Sequence, residues 1–145
     1  MMKVVSLALS KKKGTRKTQV NEVAVIENHG IEGDAHAGPW HRQVSFLAAE
    51  SIERAKQSGL KVGFGDFAEN IATVGIDWPQ VPVGTRLRIG SEVEMEITQI
   101  GKECPHRCAI YYQAGDCIMP REGIFAKVLK GGKVRVDDAI EVVKE

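Results

Sequence analysis

The sequence lacks any apolar run long enough to cross a membrane, and it carries almost no excess of either charge. A transmembrane helix needs about 20 predominantly apolar residues, and proteins that coat nucleic acid usually have a basic excess. The formal net charge here is +1 over 145 residues. The first residues also lack the apolar core of a secretory signal. These absences predict a cytoplasmic protein that binds neither a membrane nor a nucleic acid.

The chain also lacks internal repeats, low-complexity tracts and proline- or serine-rich linkers. Its composition, 43% hydrophobic and 27% charged, is ordinary for a globular protein and argues against disorder. A chain of roughly 150 residues buries about 70% of its unfolded surface without disulfides or metals. We therefore expect a single domain over residues 1–145.

Cysteine is scarce and unevenly placed. All three cysteines, Cys104, Cys108 and Cys117, fall within one short stretch. An odd number in a cytosolic chain indicates free thiols, metal ligands or a reactive nucleophile rather than a disulfide framework. This clustering makes the stretch the first candidate for chemistry.

Apolar residues recur mostly with period two, which predicts many short strands. Strands are expected over 4–9, 20–26, 69–74, 134–136 and 140–143. The clearest pattern is a hairpin of 85–89 and 93–97, with arginines and glutamates pairing across its wet face. Helices are expected over 47–56 and 123–130, each followed by glycine. The pattern favours a β-barrel or a strand-dominated α+β fold.

Two loops carry more polar residues than folding requires. In the glycine-rich stretch 30–43, Asp34 and His36 project to the same side of an extended backbone. They form either an acid–base or ligand-holding pair, or a simple Asx-turn beside a surface histidine. The basic stretch 11–17 is either a solvated turn or a loop that contacts the phosphate of an anionic ligand.

The cysteine stretch itself allows three interpretations. Cys104 and Cys108 have a spacing found in zinc sites, which His106 and Cys117 could complete. Alternatively, the cations at 102, 106, 107 and 121 would stabilise a reactive thiolate. Each cysteine could also be a small buried apolar residue. The residue pattern alone leaves these interpretations open.

Taken in order along the chain, these segments resemble the MOSC domain, named for the C-terminal domain of molybdenum cofactor sulfurase. The likeness runs from residue 4 to 143 and includes a cysteine after the hairpin. It rests on four motifs, Gly30-Ile31-x-Gly33-Asp34-x-His36-x-Gly38, Arg42-Gln43-Val44-Ser45, Phe67-Ala68-Glu69-Asn70-Ile71 and Val83-Gly84-Thr85-x-Leu87-x-Ile89-Gly90. At position 137 the family usually has glycine, and this chain has aspartate.

The resemblance implies a mainly β fold, a closed barrel of the pyruvate-kinase-barrel type with a few short helices. It also implies a sulfur carrier or sulfurtransferase that acts on or delivers the molybdenum (molybdopterin) cofactor through a cysteine persulfide. Cys108 matches the family's cysteine best, Cys104 is second, and Cys117 fits a small stand-alone subgroup. The alternative is a non-catalytic carrier in which Cys108 is a molybdenum ligand.

The same resemblance implies partners and binding residues. The pyridoxal-phosphate-dependent desulfurase domain of the large sulfurases is absent, so pyridoxal phosphate is not expected in this chain. Sulfur must then come from a cysteine desulfurase, and the acceptor is a cofactor-biosynthesis protein or a molybdoenzyme. The residues expected to hold the cofactor are Lys13, Lys17, Asp34, His36, Arg42, Asn70, Arg107 and Arg121.

Overall fold

The computed structural model describes residues 2–13, 15–101, 118 and 122–143. In chain order the elements are β1 Lys3–Leu9, β2 Thr18–Val20, β3 Glu22–Ile26, β4 Gly30–Ile31, β5 Val44–Ala48, α1 Ala49–Gln57, β6 Ile71–Val74, a 3-10 turn Trp78–Gln80, β7 Arg86–Ile89, β8 Val93–Ile100, β9 Ile124–Lys130, β10 Gly132–Arg135 and β11 Ile140–Val143. No helix in these ranges is long and apolar enough to span a membrane. The mainly β prediction is confirmed.

The strands form two sheets. Eight strands follow the order β11-β7-β8-β9-β5-β6-β1-β2, and β10-β3-β4 form the second sheet. Every pair is antiparallel except β5 with β6. A single bridge joins Lys3 to Ala139, just before β11, but no ladder of the described strands closes the larger sheet on itself. The closed barrel is therefore not confirmed and stays a prediction.

The larger core contains side chains from both sheets, most of them from the eight-stranded one. Its fully buried side chains include Leu7, Phe46, Leu87, Met95 and Ile97, drawn from four different strands. Alternation explains the selection, because successive residues of a strand face opposite sides of the sheet. A second cluster lies beneath α1 and brings together Leu47, Ile52, Ala55, Val62, Phe67, Ala72, Ile118 and Phe125.

The hairpin is confirmed as β7 and β8, with Arg86 opposite Glu96 and Arg88 opposite Glu94. However, the ion pairs in the described residues do not join these opposed arginines and glutamates. Arg88 Nη1 lies 3.6 Å from Glu141 on β11, and Glu96 Oε2 lies 3.6 Å from Lys127 on β9. Both strands of the hairpin have a second neighbour, so their charges also pair with side chains on β11 and β9.

The helix expected over 123–130 is wrong, because this stretch is β9. Ile124 and Val128 fit helical spacing, but the same stretch also places Ile124, Ala126 and Val128 on one face of a strand. The segment pairs with β5 on one side and β8 on the other. A strand buried between two neighbours is apolar on both faces, and this hides the two-residue period.

Two other boundaries shift. The strand expected over 20–26 is two strands, β2 and β3, separated at Asn21. The helix expected over 47–56 begins at Ala49, because Leu47 belongs to β5 and is buried in the cluster beneath α1. The chain turns after α1 at Gly59, whose φ of +105° suits glycine.

Asp137, at the position where glycine is usual in the family, has a φ of +76°. Aspartate tolerates this left-handed conformation better than most side chains. Its Oδ1 also lies 3.4 Å from the ammonium of Lys3. The turn before β11 is thus preserved without the glycine.

Candidate functional site

Three of the expected binding residues meet in one buried cluster. Lys17 Nζ lies 2.7 Å from Asp34 Oδ1, and both side chains are fully buried. The same ammonium lies 3.0 Å from His36 Nδ1 and 3.1 Å from Ser10 Oγ. We name this group, Ser10, Lys17, Asp34 and His36, the lysine cluster.

The end of β1 positions the cluster. The Ser10 backbone N–H donates to Asp34 Oδ1, and the Ala35 N–H donates to the Ser10 carbonyl oxygen at 2.7 Å. The His36 N–H donates to Asp34 Oδ2 at 3.1 Å, which is an Asx-turn. The turn interpretation of Asp34 is therefore correct, but the same carboxylate also binds a buried cation.

Electrostatics keep Asp34 ionised. Burial on its own would raise the pKa of this carboxyl, because a low dielectric disfavours the charged form. The contact with His36, the hydrogen bond and positive charge of Lys17 and the Ser10 N–H outweigh burial, so the pKa of Asp34 lies well below its usual range. The Asp34 carboxyl is therefore ionised at neutral pH.

Lys13 and Arg42 meet at a second place, the half-buried ring of Trp40. Lys13 Nζ lies 4.9 Å from the Trp40 ring centroid and Arg42 Cζ lies 4.6 Å from it. The Arg42 guanidinium also lies 5.7 Å from the Phe125 ring. These distances are typical of cation–π contacts. We name the group of Lys13, Trp40 and Arg42 the tryptophan platform.

The Arg42 guanidinium has an unused donor. Its Nε is buried and has no hydrogen-bond acceptor in the part of the chain described here. A buried donor without an acceptor costs free energy, and such groups are rare in folded proteins. The observation marks Arg42 as a place for a ligand that presents an acceptor.

The platform is tied to the lysine cluster and to the sheet. Trp40 Nε1 donates to the His36 carbonyl oxygen at 2.7 Å. The Thr98 hydroxyl on β8 hydrogen-bonds the His41 carbonyl oxygen and lies 3.2 Å from that of Phe125 on β9. The glycine-rich loop therefore runs from the end of β1 to the ends of β8 and β9.

The cysteine stretch leaves and rejoins the described structure near this loop. The Gly101 N–H, just after β8, donates to the Gly123 carbonyl oxygen, just before β9, at 2.7 Å. Ile118 packs in the same buried cluster as Phe125. Thr98 and Phe125, which contact the loop, are thus three and two residues from these two glycines.

The predicted residues Cys104, Cys108, Cys117, Arg107 and Arg121 lie outside the described residues. Their roles stay predictions. Within the ranges that are described, no three histidine, cysteine, aspartate or glutamate side chains are placed to share a metal ion. The zinc interpretation therefore still depends on the cysteine stretch.

Asn70 is buried within the fold. Its Oδ1 accepts from the Ser45 N–H and hydroxyl at 3.0 and 3.1 Å, and its Nδ2 donates to the Ala8 carbonyl oxygen at 3.1 Å. The side chain thus joins β5 to β1 just before β6 begins. A direct contact between Asn70 and a cofactor stays a prediction.

Glu69 is a buried carboxyl that holds a loop. Its oxygens accept the backbone N–H groups of Gly65 at 2.6 Å and Phe67 at 3.2 Å. Burial raises the pKa of Glu69 to about 7, against the lowering effect of these bonds. The Gly65 carbonyl oxygen accepts the Lys17 backbone N–H at 2.8 Å, so this loop supports the lysine cluster from behind.

A cleft of about 530 Å³ lies on another side of the sheet, beside α1. Arg54 Nη2 and Ser51 Oγ bond Glu122 Oε1 within it, at 3.0 and 2.7 Å. Trp78 contributes to the apolar wall, and its Nε1 donates to Thr73. Its described polar groups largely bond one another, so the cleft is a weaker candidate than the loop site.

The sequence did not single out two members of the site, Ser10 and Trp40. Ser10 follows the first strand and resembles any strand-terminating polar residue. Trp40 lies in the glycine-rich stretch, where one tryptophan between Lys13 and Arg42 could have suggested cation–π contacts. The partners lie 27 and 2 residues away along the chain, so only the fold reveals the set.

Comparisons with solved structures give the same fold. YuaD from Bacillus subtilis matches with a TM-score of 0.79 and 19% identity, over 98% of this chain and 96% of that one. YiiM from Geobacillus stearothermophilus matches with 0.76 and 19%, over 99% and 76%, and YiiM from Escherichia coli with 0.68 and 23%, over 100% and 71%.

A comparison with curated proteins gives no match. The family model described as "MOSC domain" matches residues 32–141, a stretch that includes the loop site from Asp34 onward and the elements from β5 to β10. Since this match covers most of the sequence, the chain belongs to the MOSC domain family.

Proposed function

We propose that this protein is a sulfur carrier of the sulfurtransferase type, acting on or delivering the molybdenum (molybdopterin) cofactor. The family is associated with molybdenum cofactor sulfurase-like proteins, which supports the cofactor as substrate. Cys108 is the proposed carrier, with Cys104 and Cys117 as the other candidates. The proposal places the protein in the cytoplasm, with a cysteine desulfurase as donor and a cofactor-biosynthesis protein or molybdoenzyme as acceptor.

The proposed loading step is a persulfide exchange. The Cys108 thiolate attacks the outer sulfur of a persulfide on the donor protein, as in thiol–disulfide exchange. A new S–S bond forms at Cys108, the S–S bond of the donor breaks, and the donor cysteine leaves as a thiolate. The proton on the outer sulfur moves to Cys108 together with that sulfur atom. The step therefore needs no oxidant or reductant. Arg107 and Arg121 are proposed to stabilise the thiolate.

The observation that carries the proposal is the tryptophan platform. It offers an anionic ligand two cations and one buried donor without an acceptor, Arg42 Nε. Phosphate and dithiolene groups are anionic acceptors, which arginine and lysine bind well. The platform also lies on the loop that contacts β8 and β9, beside both ends of the cysteine stretch.

Persulfide loading tests the proposal directly. The reduced full chain is incubated with a cysteine desulfurase and cysteine, and the intact mass is then measured. The expected gain is one sulfur atom, which is lost in Cys108→Ala and kept in the matched controls Cys104→Ala and Cys117→Ala. Loss in a control instead of in Cys108→Ala would move the carrier to that residue.

A second candidate function is a cofactor carrier without sulfur chemistry, in which Cys108 is a soft thiolate ligand of molybdenum. The unpaired Arg42 donor favours this function equally, because it requires only a bound anion. The two candidates differ in the mass experiment. Tight retention of the cofactor with no persulfide on any cysteine would contradict sulfur transfer and support the carrier. Stoichiometric zinc in the purified protein would contradict both.

The basic stretch 11–17, which supplies Lys13 to the platform, can be tested separately. Neutralising Lys11, Lys12 and Lys13 should weaken cofactor binding more at low salt than at high salt, because salt screens exposed charges. Lys130→Met is the matched control, since it removes an exposed lysine at the other end of β9 from Phe125. Equal affinity of the triple variant and the wild type at both salt concentrations would remove the basic loop from the site.

A further inference from the structure

The lysine cluster fixes where protons can lie. An ammonium has three N–H donors and no acceptor. Lys17 Nζ lies within hydrogen-bond distance of Asp34 Oδ1, Ser10 Oγ and His36 Nδ1, at 2.7, 3.1 and 3.0 Å. Toward each of these atoms Lys17 can only donate. His36 Nδ1 must therefore be the acceptor in its contact with Lys17.

Among the residues that the structure describes, no acceptor competes with this contact to favour a proton on Nδ1. The carboxylate oxygen that the described residues place beside it, Asp34 Oδ2, lies 3.8 Å away, too far for a hydrogen bond. That oxygen already accepts the backbone N–H of His36 at 3.1 Å. A proton on Nδ1 would instead point at the hydrogens of the Lys17 ammonium. The position of this proton thus follows from the contacts of one buried lysine.

We infer that Lys17 holds His36 as a neutral imidazole with its proton on Nε2, so that His36 offers a ligand a hydrogen-bond donor and not a base. Lys17 is then a positioning residue and makes its effect through His36. The imidazole side chain is 20% exposed and Ser10 is half-buried, whereas the side chains of Lys17 and Asp34 are fully buried, so a ligand can reach the cluster at His36.

The inference also describes the ligand. Asp34 has both oxygens engaged by Lys17, Ser10 and the His36 N–H. Two side-chain groups that remain for a ligand on this loop are then donors, His36 Nε2–H and Arg42 Nε–H. A ligand group with negatively charged oxygen or sulfur acceptors fits such a surface. The inference rests on these contacts alone and does not require the proposed sulfur transfer.

The test is the tautomer of His36 in the full chain. Long-range ¹H–¹⁵N correlation spectra distinguish a protonated ring nitrogen from an unprotonated one, and His36→Gln assigns the signals by their loss. At pH 7 we expect a protonated Nε2 and an unprotonated Nδ1. The exposed His41 provides an internal reference for a ring outside the cluster. A proton on Nδ1, or on both nitrogens, would overturn the inference with no variant needed.

A paired variant tests the role of Lys17. Lys17→Met combined with Asp34→Asn removes the cation without leaving an unpaired buried charge. His36 should then change from one tautomer to a mixture of both, while the circular dichroism spectrum stays that of the wild type. Lys12→Met is the matched control on the same loop and should leave the tautomer unchanged. A double variant that keeps the wild-type tautomer would show that Lys17 does not position His36.

Discussion

Two buried carboxyl groups, Asp34 and Glu69, belong to two loops that both contact Lys17, yet their pKa values move in opposite directions. Asp34 has a cation at 2.7 Å, and its pKa falls far below the usual range. Glu69 accepts two backbone N–H bonds, and its pKa is raised to about 7 by burial. Backbone N–H groups alone do not offset the desolvation of Glu69, whereas His36, the Lys17 ammonium and the Ser10 N–H together offset that of Asp34.

The opposite pKa shifts of Asp34 and Glu69 correspond to two different roles of buried carboxyl groups. The Asp34 carboxylate stays ionised and orders a surface that ligands can reach. Glu69 lies 1% exposed behind that surface and fixes the loop that supports it. Because the two loops meet at the Lys17–Gly65 backbone bond, substitutions on either side can show how far the two environments depend on each other.

The largest expected effect is the loss of the Asp34 charge. Asp34→Asn leaves the fully buried Lys17 ammonium without its carboxylate, and breaking a buried pair in this way costs about 3–5 kcal/mol. Urea unfolding at pH 7 measures the loss as a lower midpoint. Restoring neutrality with Lys17→Met in the same chain should recover most of it.

The matched control for Asp34 is the exposed pair of Lys3 and Asp137, 39% and 74% exposed. Asp137→Asn keeps a residue that tolerates the positive φ and should change the stability by less than about 1 kcal/mol. A loss in Asp34→Asn no larger than this would show that the buried ion pair is not what holds the loop.

The next largest effect is expected from Glu69, whose raised pKa should make the free energy of unfolding fall as the pH rises. Its folded-state pKa, about 7, lies above the ordinary value of 4.5, so its contribution is fully present below 4.5 and is lost as the pH rises through 7. A shift of this size corresponds to on the order of 3 kcal/mol. Unfolding midpoints between pH 4.5 and 8 measure the slope.

Glu69→Gln should flatten that slope, whatever it does to the absolute stability, because the amide does not titrate. Glu53→Gln, on the exposed face of α1, should keep the wild-type slope. Asp34 contributes with the opposite sign and only at lower pH, where its lowered pKa makes stability fall with added acid. An unchanged slope in Glu69→Gln would assign the pH dependence to other groups.

Gly65 joins the Glu69 loop to Lys17, and we expect a smaller loss of stability when it is replaced by alanine. Its φ is +86°, and a Cβ there would clash with the Lys17 carbonyl oxygen. Gly59, with a φ of +105° and no atom near its Cβ position, is the matched control. Gly59→Ala should lose about 1–2 kcal/mol from backbone strain alone, and Gly65→Ala should lose more. Equal losses of stability in Gly65→Ala and Gly59→Ala would show that the close contact between Gly65 and Lys17 does not contribute to stability.

The smallest effect is expected at Trp40. Trp40→Phe keeps an aromatic ring for Arg42 but removes the bond to the His36 carbonyl oxygen, which is worth about 1 kcal/mol. Hydrogen exchange at the His36 amide, which is bonded to Asp34, should become faster. Trp78→Phe, which removes a bond to Thr73 outside this loop, should leave that amide unchanged.

The fold was predictable where alternation is clear and not where burial hides it. Polar and apolar residues alternate in the β7–β8 hairpin because one face meets water, and the prediction there is confirmed. β9 lies between β8 and β5, so its apolar residues satisfy helical and strand spacing alike. Only the partners on both sides decide between the two, and a sequence does not list partners.

The sequence indicated which residues to consider for the site, but it did not indicate how they contact one another. The two-residue spacing of Asp34 and His36 gave the pair, and the basic run gave Lys17 as a cation. Nothing in the run distinguishes Lys17, which is 4% exposed, from exposed neighbours such as Lys12. The distinction arises because Lys17 precedes β2 and its backbone bonds Gly65, which turns the side chain toward Asp34.

The contacts on one edge of β1 have a consequence for synthesis on the ribosome. Leu7 to Leu9 pair with β2, while Val4 exchanges backbone bonds with Asp137 and Asp138, and Met2 accepts the Ile140 N–H. The first half of this edge therefore stays open until Asp137 to Ile140 have been synthesised. Because domains complete their folding only when their partners are present, a chaperone that shields unpaired strands would meet this protein at β1.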